Sequence, residues 1–208
     1  MIPDLWSWAW NMLIRTKLED DSVDTLTSSR ITGGNPTTVR DGSDYYPTPP
    51  EATVALLNFL ELPKSTVIWE PACGGNHMVD VMRDREYRVI GTDIQTGDDF
   101  LDVALPHGVE WIITNPPFSK SEEFIRRCVW HGKPFALLLK SQYWHAKKRL
   151  RRFTEYSPAY ILPLTWRPDF LLGARGGASL MDVIWCVWDP RITGRTRYIP
   201  LERPGVEG

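Results

Sequence analysis

The sequence predicts an α/β protein on an open, mostly parallel sheet, and three observations carry that expectation. Short apolar strands alternate with helical segments along most of the chain. One strand, residues 67–70, runs into a glycine turn and then a helix, an arrangement that brings a ligand close to the backbone. Another, which begins at Trp111, stops at Asn115-Pro116-Pro117, because consecutive prolines donate nothing to a sheet ladder. In such sheets the carboxyl ends of the strands border the ligand crevice, so Asn115 lies where chemistry is usually done.

The bulk properties narrow the possibilities. The 208 residues are 42% hydrophobic and 24% charged, enough for one good core. A net charge of −2 gives no global nucleic-acid signature, so any such binding needs a local patch. Cys73, Cys128 and Cys186 are widely spaced, as reduced thiols of a cytoplasmic protein rather than a disulfide frame or zinc site. No apolar run reaches membrane-spanning length, and MIPDLWSWAW carries an acid and no basic stretch, unlike a signal peptide. There is no internal repeat.

Residues 1–43 form an N-terminal segment apart from the body at 44–190. Leu5, Trp6, Trp8, Ala9, Met12, Leu13 and Ile14 have loosely helical spacing, suited to docking on the body or on a second subunit. The alternative is that translation starts at Met12. Residues 19–43 lack apolar periodicity and read as a flexible leader. Order resumes with DYYPTPP. Pro50 then opens a helix over 51–60 with Val54, Leu57 and Leu60 on one face.

The strand VIWE leads into Pro71-Ala72-Cys73-Gly74-Gly75-Asn76 and a helix to about residue 83. A second strand, residues 87–94, ends at Asp93, about 20 residues beyond the turn. That carboxylate is either a ribose acceptor or a solvated strand end. Asp99 beside Phe100 is either an adenine-binding pair or an acidic turn capped by a core ring. Residues 119–131 read as a helix with Ser121 as its cap and acids in its first turn. FALLLK follows as a buried strand.

Residues 141–153 carry Lys147, Lys148, Arg149, Arg151 and Arg152 without an acid, which makes either a phosphate-binding surface or a solvated helix face. Tyr143, Trp144 and His145 lie just beyond the preceding strand, and His145 reads as a polar neighbour rather than a general base. Two more strands fall at 159–165 and 180–189. Arg167 and the glycine-rich stretch with Arg175 lie between them, as a lid, a nucleic-acid contact or a plain hairpin connection. Residues 191–208 read as a basic, partly ordered tail.

Asn-Pro-Pro-Phe suits transfer to a nitrogen whose lone pair is delocalised. An exocyclic adenine amine is a poor nucleophile until its two N–H groups are held by acceptors that favour a pyramidal nitrogen. The Asn115 side-chain oxygen and the Pro116 carbonyl are such acceptors, and they gain strength as positive charge develops. Phe118 offers a ring to stack on the target. Alone, the tetrapeptide also fits a strand that ends in a proline turn with a core Phe.

Taken together, DYYPTPP, EPACGGN, the Asp93 strand, DDFLD and NPPF resemble the S-adenosylmethionine-dependent DNA adenine-N6 methyltransferases over roughly residues 44–189. The likeness is to compact phage or prophage enzymes with the gamma-type motif order. It implies a Rossmann-like class I methyltransferase fold: a seven-stranded, mostly parallel sheet with an antiparallel last strand and helices on both faces. The last two candidate strands fit its terminal hairpin.

The resemblance also implies roles. Tyr46, Thr48 and Pro49 would flank the methionine end of the cofactor, and Glu70, Pro71, Ala72, Cys73 and Gly74 would form its floor. Asp93 would hold the ribose, Ile94 would pack on adenine, and Asp99 with Phe100 would recognise the adenine edge. Asn115, Pro116, Pro117 and Phe118 would hold the target base, with Asn115 also bordering the cofactor. Direct transfer needs no covalent enzyme intermediate and no metal. The expected partner is DNA, duplex or single-stranded, with no membrane, and a homodimer or partner subunit would help target recognition. The related motif of RNA adenine and protein glutamine-amide methyltransferases leaves those substrates as rivals, and a binding module without catalysis is a third reading. Where the family shows Gly-x-Gly, this chain has Gly74-Gly75-Asn76.

Overall fold

The computed structural model describes residues 46–170 and 181–205. The expected N-terminal helix and leader, the glycine-rich stretch with Arg175, and the last three residues lie outside them. The described residues belong to one compact unit.

Among the described residues, seven strands make one sheet: β1 Val67–Glu70, β2 Arg88–Gly91, β3 Trp111–Thr114, β4 Phe135–Lys140, β5 Tyr160–Pro163, β6 Val183–Trp188 and β7 Arg197–Tyr198. Their order is β2-β1-β3-β4-β6-β5-β7. The first four in chain order are mutually parallel, and β6 runs antiparallel to both β4 and β5. The expected terminal hairpin is therefore β5–β6. The seventh strand comes from the segment expected as a tail. β7 adds to the outer edge parallel to β5, and Ile199 and Leu201 continue the ladder by donating to Ile161 and Pro163.

Among the described residues, four α-helices accompany the sheet: α1 Pro50–Leu60, α2 His77–Asp84, α3 Ser121–His131 and α4 Leu150–Glu155. Side chains alternate across a strand, so neighbouring residues report opposite faces. Ile68 joins a core with Leu56 and Leu57 of α1 and Met78 and Met82 of α2. Its neighbour Trp69 instead meets Phe100 and His131, and Phe100 packs on Phe124 of α3. Helices thus cover both faces, and the strands β3 and β6 are buried throughout, as central strands of such sheets are. Two core tryptophans have their N–H groups satisfied. Trp185 donates to the Ala52 carbonyl of α1 at 2.9 Å and Trp188 to the Tyr156 carbonyl at 2.8 Å.

Two helix details differ from expectation. The face α1 buries is Ala52, Thr53, Ala55, Leu56 and Leu57, while Val54 and Leu60 are half-buried, because the Trp185 contact turns Ala52 inward. Ser121 caps no helix N–H. A tight turn over Phe118–Lys120 precedes α3, and the Ser121 hydroxyl donates back to the Phe118 carbonyl at 2.9 Å.

Candidate active site

Asn115 sits just past the carboxyl end of β3, beside the end of its parallel neighbour β1. Its Nδ2 donates to the Tyr46 carbonyl at 3.1 Å and to the Thr48 hydroxyl oxygen at 2.9 Å. A carbonyl can only accept, so the amide has one orientation here. Oδ1 consequently points the other way, buried and without a hydrogen-bond partner. Pro116 is buried as well, and Phe118 is half-buried with its ring centroid 5.5 Å from that of Tyr46. Tyr46 in turn meets Phe170 edge-on at 6.3 Å. One further neighbour is absent from the residues the sequence singles out. The exposed Lys140 at the end of β4 places its ammonium 4.8 Å from the Phe118 ring centroid. Its place as the last residue of the strand beside β3 was the available signal.

The glycine turn is built differently from a phosphate cradle. Such a cradle aims several backbone N–H groups at the anion. Here Ala72 N–H donates to the Glu70 carboxylate at 3.0 Å, Cys73 N–H to the Thr92 carbonyl at 3.0 Å, and Gly74 N–H to Asp93 Oδ2 at 2.8 Å. Asn76 N–H donates to the Cys73 carbonyl at 2.8 Å. Two buried carboxylates, Glu70 and Asp93, replace the anion that those groups would otherwise face. Close packing explains the small residue at the end of β2: a side chain on Gly91 would meet Val79 Cγ2 at 3.0 Å.

Asn76 accounts for the departure from Gly-x-Gly. It adopts the left-handed conformation, φ 64° and ψ 12°, as does Gly74 with φ 46°. Asparagine tolerates that region better than other residues with a Cβ, so it can hold this left-handed position of the turn.

Electrostatics follow from this burial. Glu70 is 1% exposed, and desolvation pushes its pKa from 4.5 up to about 7. The Thr114 hydroxyl and the Ala72 N–H pull it down in part, and the Asp93 charge adds to the rise. Burial, then the charges of Glu70 and Asp93, raise the Cys73 thiol, which keeps it protonated rather than nucleophilic.

The remaining expected residues sort by position. Asp93 closes the turn with both oxygens engaged, accepting from Gly74 and, at 2.9 Å, from Gln95. The following Ile94 is 66% exposed, an apolar side chain presented beside that turn. Pro49 and Pro71 are buried in the walls. Asp99 caps its own turn through Leu101 N–H, while Phe100 is 2% exposed among Trp69, Phe124 and His131. Phe100 is thus the wall behind Asp99, with its ring faces turned to the core.

The basic segment is partly engaged by the protein itself. Arg149 stacks on Tyr143 at 3.7 Å and donates to its carbonyl. Arg152 meets Glu122 at 3.4 Å and Glu155 at 3.3 Å, and Arg151 pairs with Glu155 at 2.8 Å. Lys147 and Lys148 are exposed. Arg167 pairs with Asp182 at 2.8 Å on the surface.

No protein-family model matches the chain, and no curated protein matches it in sequence. Solved structures match its fold. A Listeria monocytogenes protein assigned as a class I S-adenosylmethionine-dependent methyltransferase superposes over 98% of this chain and 74% of its own, with a TM-score of 0.55 at 10% identity. The fold is therefore Rossmann-like, of the class I methyltransferase kind. The modification subunit of a Vibrio vulnificus protein assigned as a type I restriction enzyme matches 81% of this chain with a TM-score of 0.51 at 13% identity. This chain covers 49% of that subunit's length.

Two outcomes test the turn. Asn76→Gly should fold with unchanged or slightly greater stability, whereas Asn76→Val should lose about 1–2 kcal/mol in urea denaturation, because a β-branched residue resists positive φ. Glu70 is raised, so its proton is held more tightly folded than unfolded. Its contribution is full below about pH 4.5 and is lost as pH climbs through about 7. Relative to Glu70→Gln, the wild type should therefore lose stability, by a few kcal/mol at most, between about pH 5 and about pH 8.

Proposed function

We propose that the chain transfers a methyl group from S-adenosylmethionine to the exocyclic N6 of adenine in DNA. One observation carries this reading: a buried amide oxygen without a partner, oriented by two fixed acceptors at the other end of the same side chain. That oxygen accepts an N–H of the target amine, and its hold strengthens as the nitrogen becomes positive. The Pro116 carbonyl accepts the second N–H. Tyr46 and Phe118 form the aromatic wall for the purine.

The residues at the turn fit this cofactor better than a nucleotide phosphate. A sulfonium and an ammonium are cations, and the turn presents Glu70 and Asp93 in place of open N–H groups. Tyr46, Thr48, Pro49 and the run Glu70 to Gly74 would hold the methionine end. Asp93 would accept from the ribose through its remaining lone pairs, exposed Ile94 would pack on the adenine, and Asp99 would read the adenine edge with Phe100 behind it. When bound, the cofactor supplies an electrophilic methyl group. The chain's own part is to orient the amine, hold its hydrogens and exclude water. Lys140, Lys147 and Lys148 supply the cationic surface for a phosphate backbone, with Arg149, Arg151, Arg152, Arg167 and Arg175 as supporting basic residues.

The test is incubation with cofactor labelled in its methyl group against unmethylated DNA, RNA and a protein extract, followed by nucleoside analysis. Label should appear in DNA N6-methyladenine and fall by about 100-fold or more with Asn115→Ala, while cofactor binding persists. Label in RNA or protein instead would reassign the substrate, and cofactor binding with no transfer would replace the enzyme by a binding module.

A further inference from the structure

We propose that Leu150 is the wedge with which this chain opens a DNA duplex, entering the base stack as the target adenine is drawn to Asn115. The inference rests on the proposed adenine-N6 activity and states how its substrate is reached.

The segment that carries Leu150 is fixed beside the catalytic loop. It leaves the end of β4 through a turn over Ser141–His145 and a second over Lys147–Arg149, then forms the short helix α4. Arg152 of α4 reaches Glu122 at 3.4 Å, and Glu122 lies only four residues beyond Phe118. Arg149 is stacked on Tyr143, which is itself buried. Two arginines therefore tie the segment to the start of α3 and to the turn after β4.

Leu150 stands on that support with 70% of its surface exposed. A single exposed leucine is ordinary. This one is preceded by the exposed lysines Lys147 and Lys148 and followed by Arg151, whose side chain is 62% exposed while paired to Glu155. An exposed apolar side chain with exposed cations before and after it in the chain fits a surface whose rim is phosphate and whose interior is a stack of bases. An adenine paired within a duplex cannot reach a buried acceptor such as Asn115 Oδ1 without leaving the stack, which costs a few kcal/mol. A side chain that enters the stack lowers that cost, and apolar residues serve this role in proteins that kink or unstack DNA.

The separating experiment compares duplex DNA with the same DNA heat-denatured to single strands, using the full chain and labelled cofactor. Leu150→Ser should lower kcat/KM on duplex by about tenfold or more and leave single-strand methylation within about twofold. Leu150→Met, which keeps an apolar tip, should retain both activities, and all three proteins should melt alike because the residue is exposed. Equal losses on duplex and single strands, or no loss on duplex, would overturn the wedge while leaving the activity intact. A wild type that methylates only single strands would also overturn it. A wild type that methylates neither DNA would remove the activity itself, and the wedge with it.

Discussion

The site depends on the hydrogen bonds that fix the Asn115 carboxamide. Its anchors, Tyr46 and Thr48, come from the extended entry to the body, 69 and 67 residues earlier in the chain. An amide rotates readily in water, and a rotated amide would present a donor where the proposed chemistry requires an acceptor. Tying Nδ2 down settles which way Oδ1 points. Under the proposed activity this is electrostatic preorganisation: the dipole is oriented during folding and would need no reorganisation during reaction. The prolines on both sides of the site serve the same end. Pro49 and Pro50 direct the chain from Thr48 into α1, and Pro116-Pro117 release the backbone from the sheet at Asn115.

The rest of the crevice follows from the sheet. Parallel β1 and β3 bring Glu70 and Asn115 to one end, and the close fit of Gly91 against Val79 brings the Asp93 end of β2 to the glycine turn. Engaged N–H groups and two buried carboxylates make this a cation-preferring turn on a scaffold often associated with phosphate. Burying Glu70 opposes its ionisation, so the crevice holds a cost that a positively charged ligand would relieve.

Much of this architecture was legible in the sequence because its signals are strong locally. β4 matches its expected span, and β5 and β6 lie within theirs, since apolar runs bounded by turn residues leave little ambiguity. Pro50 likewise marked the first residue of α1. Other features depend on partners distant in sequence. β7 is two exposed residues that become a strand only by adding to the β5 edge, so no periodicity announces it. Residues 141–153 contain no acid, yet Arg152 finds Glu122 thirty residues away and Glu155 just past the window. Asn76 stands where the resemblance shows a glycine, and only its backbone angles show that it takes the left-handed conformation open to glycine. The exposure of Leu150 is equally invisible before folding.

Turnover by Thr48 variants tests the anchored amide most directly. Thr48→Ser keeps the acceptor for Asn115 Nδ2, whereas Thr48→Val keeps the shape and removes it. The account predicts that Thr48→Val lowers kcat by about tenfold or more and that Thr48→Ser stays near wild type, both proteins folding alike. Equal turnover in Thr48→Val and the wild type would contradict it.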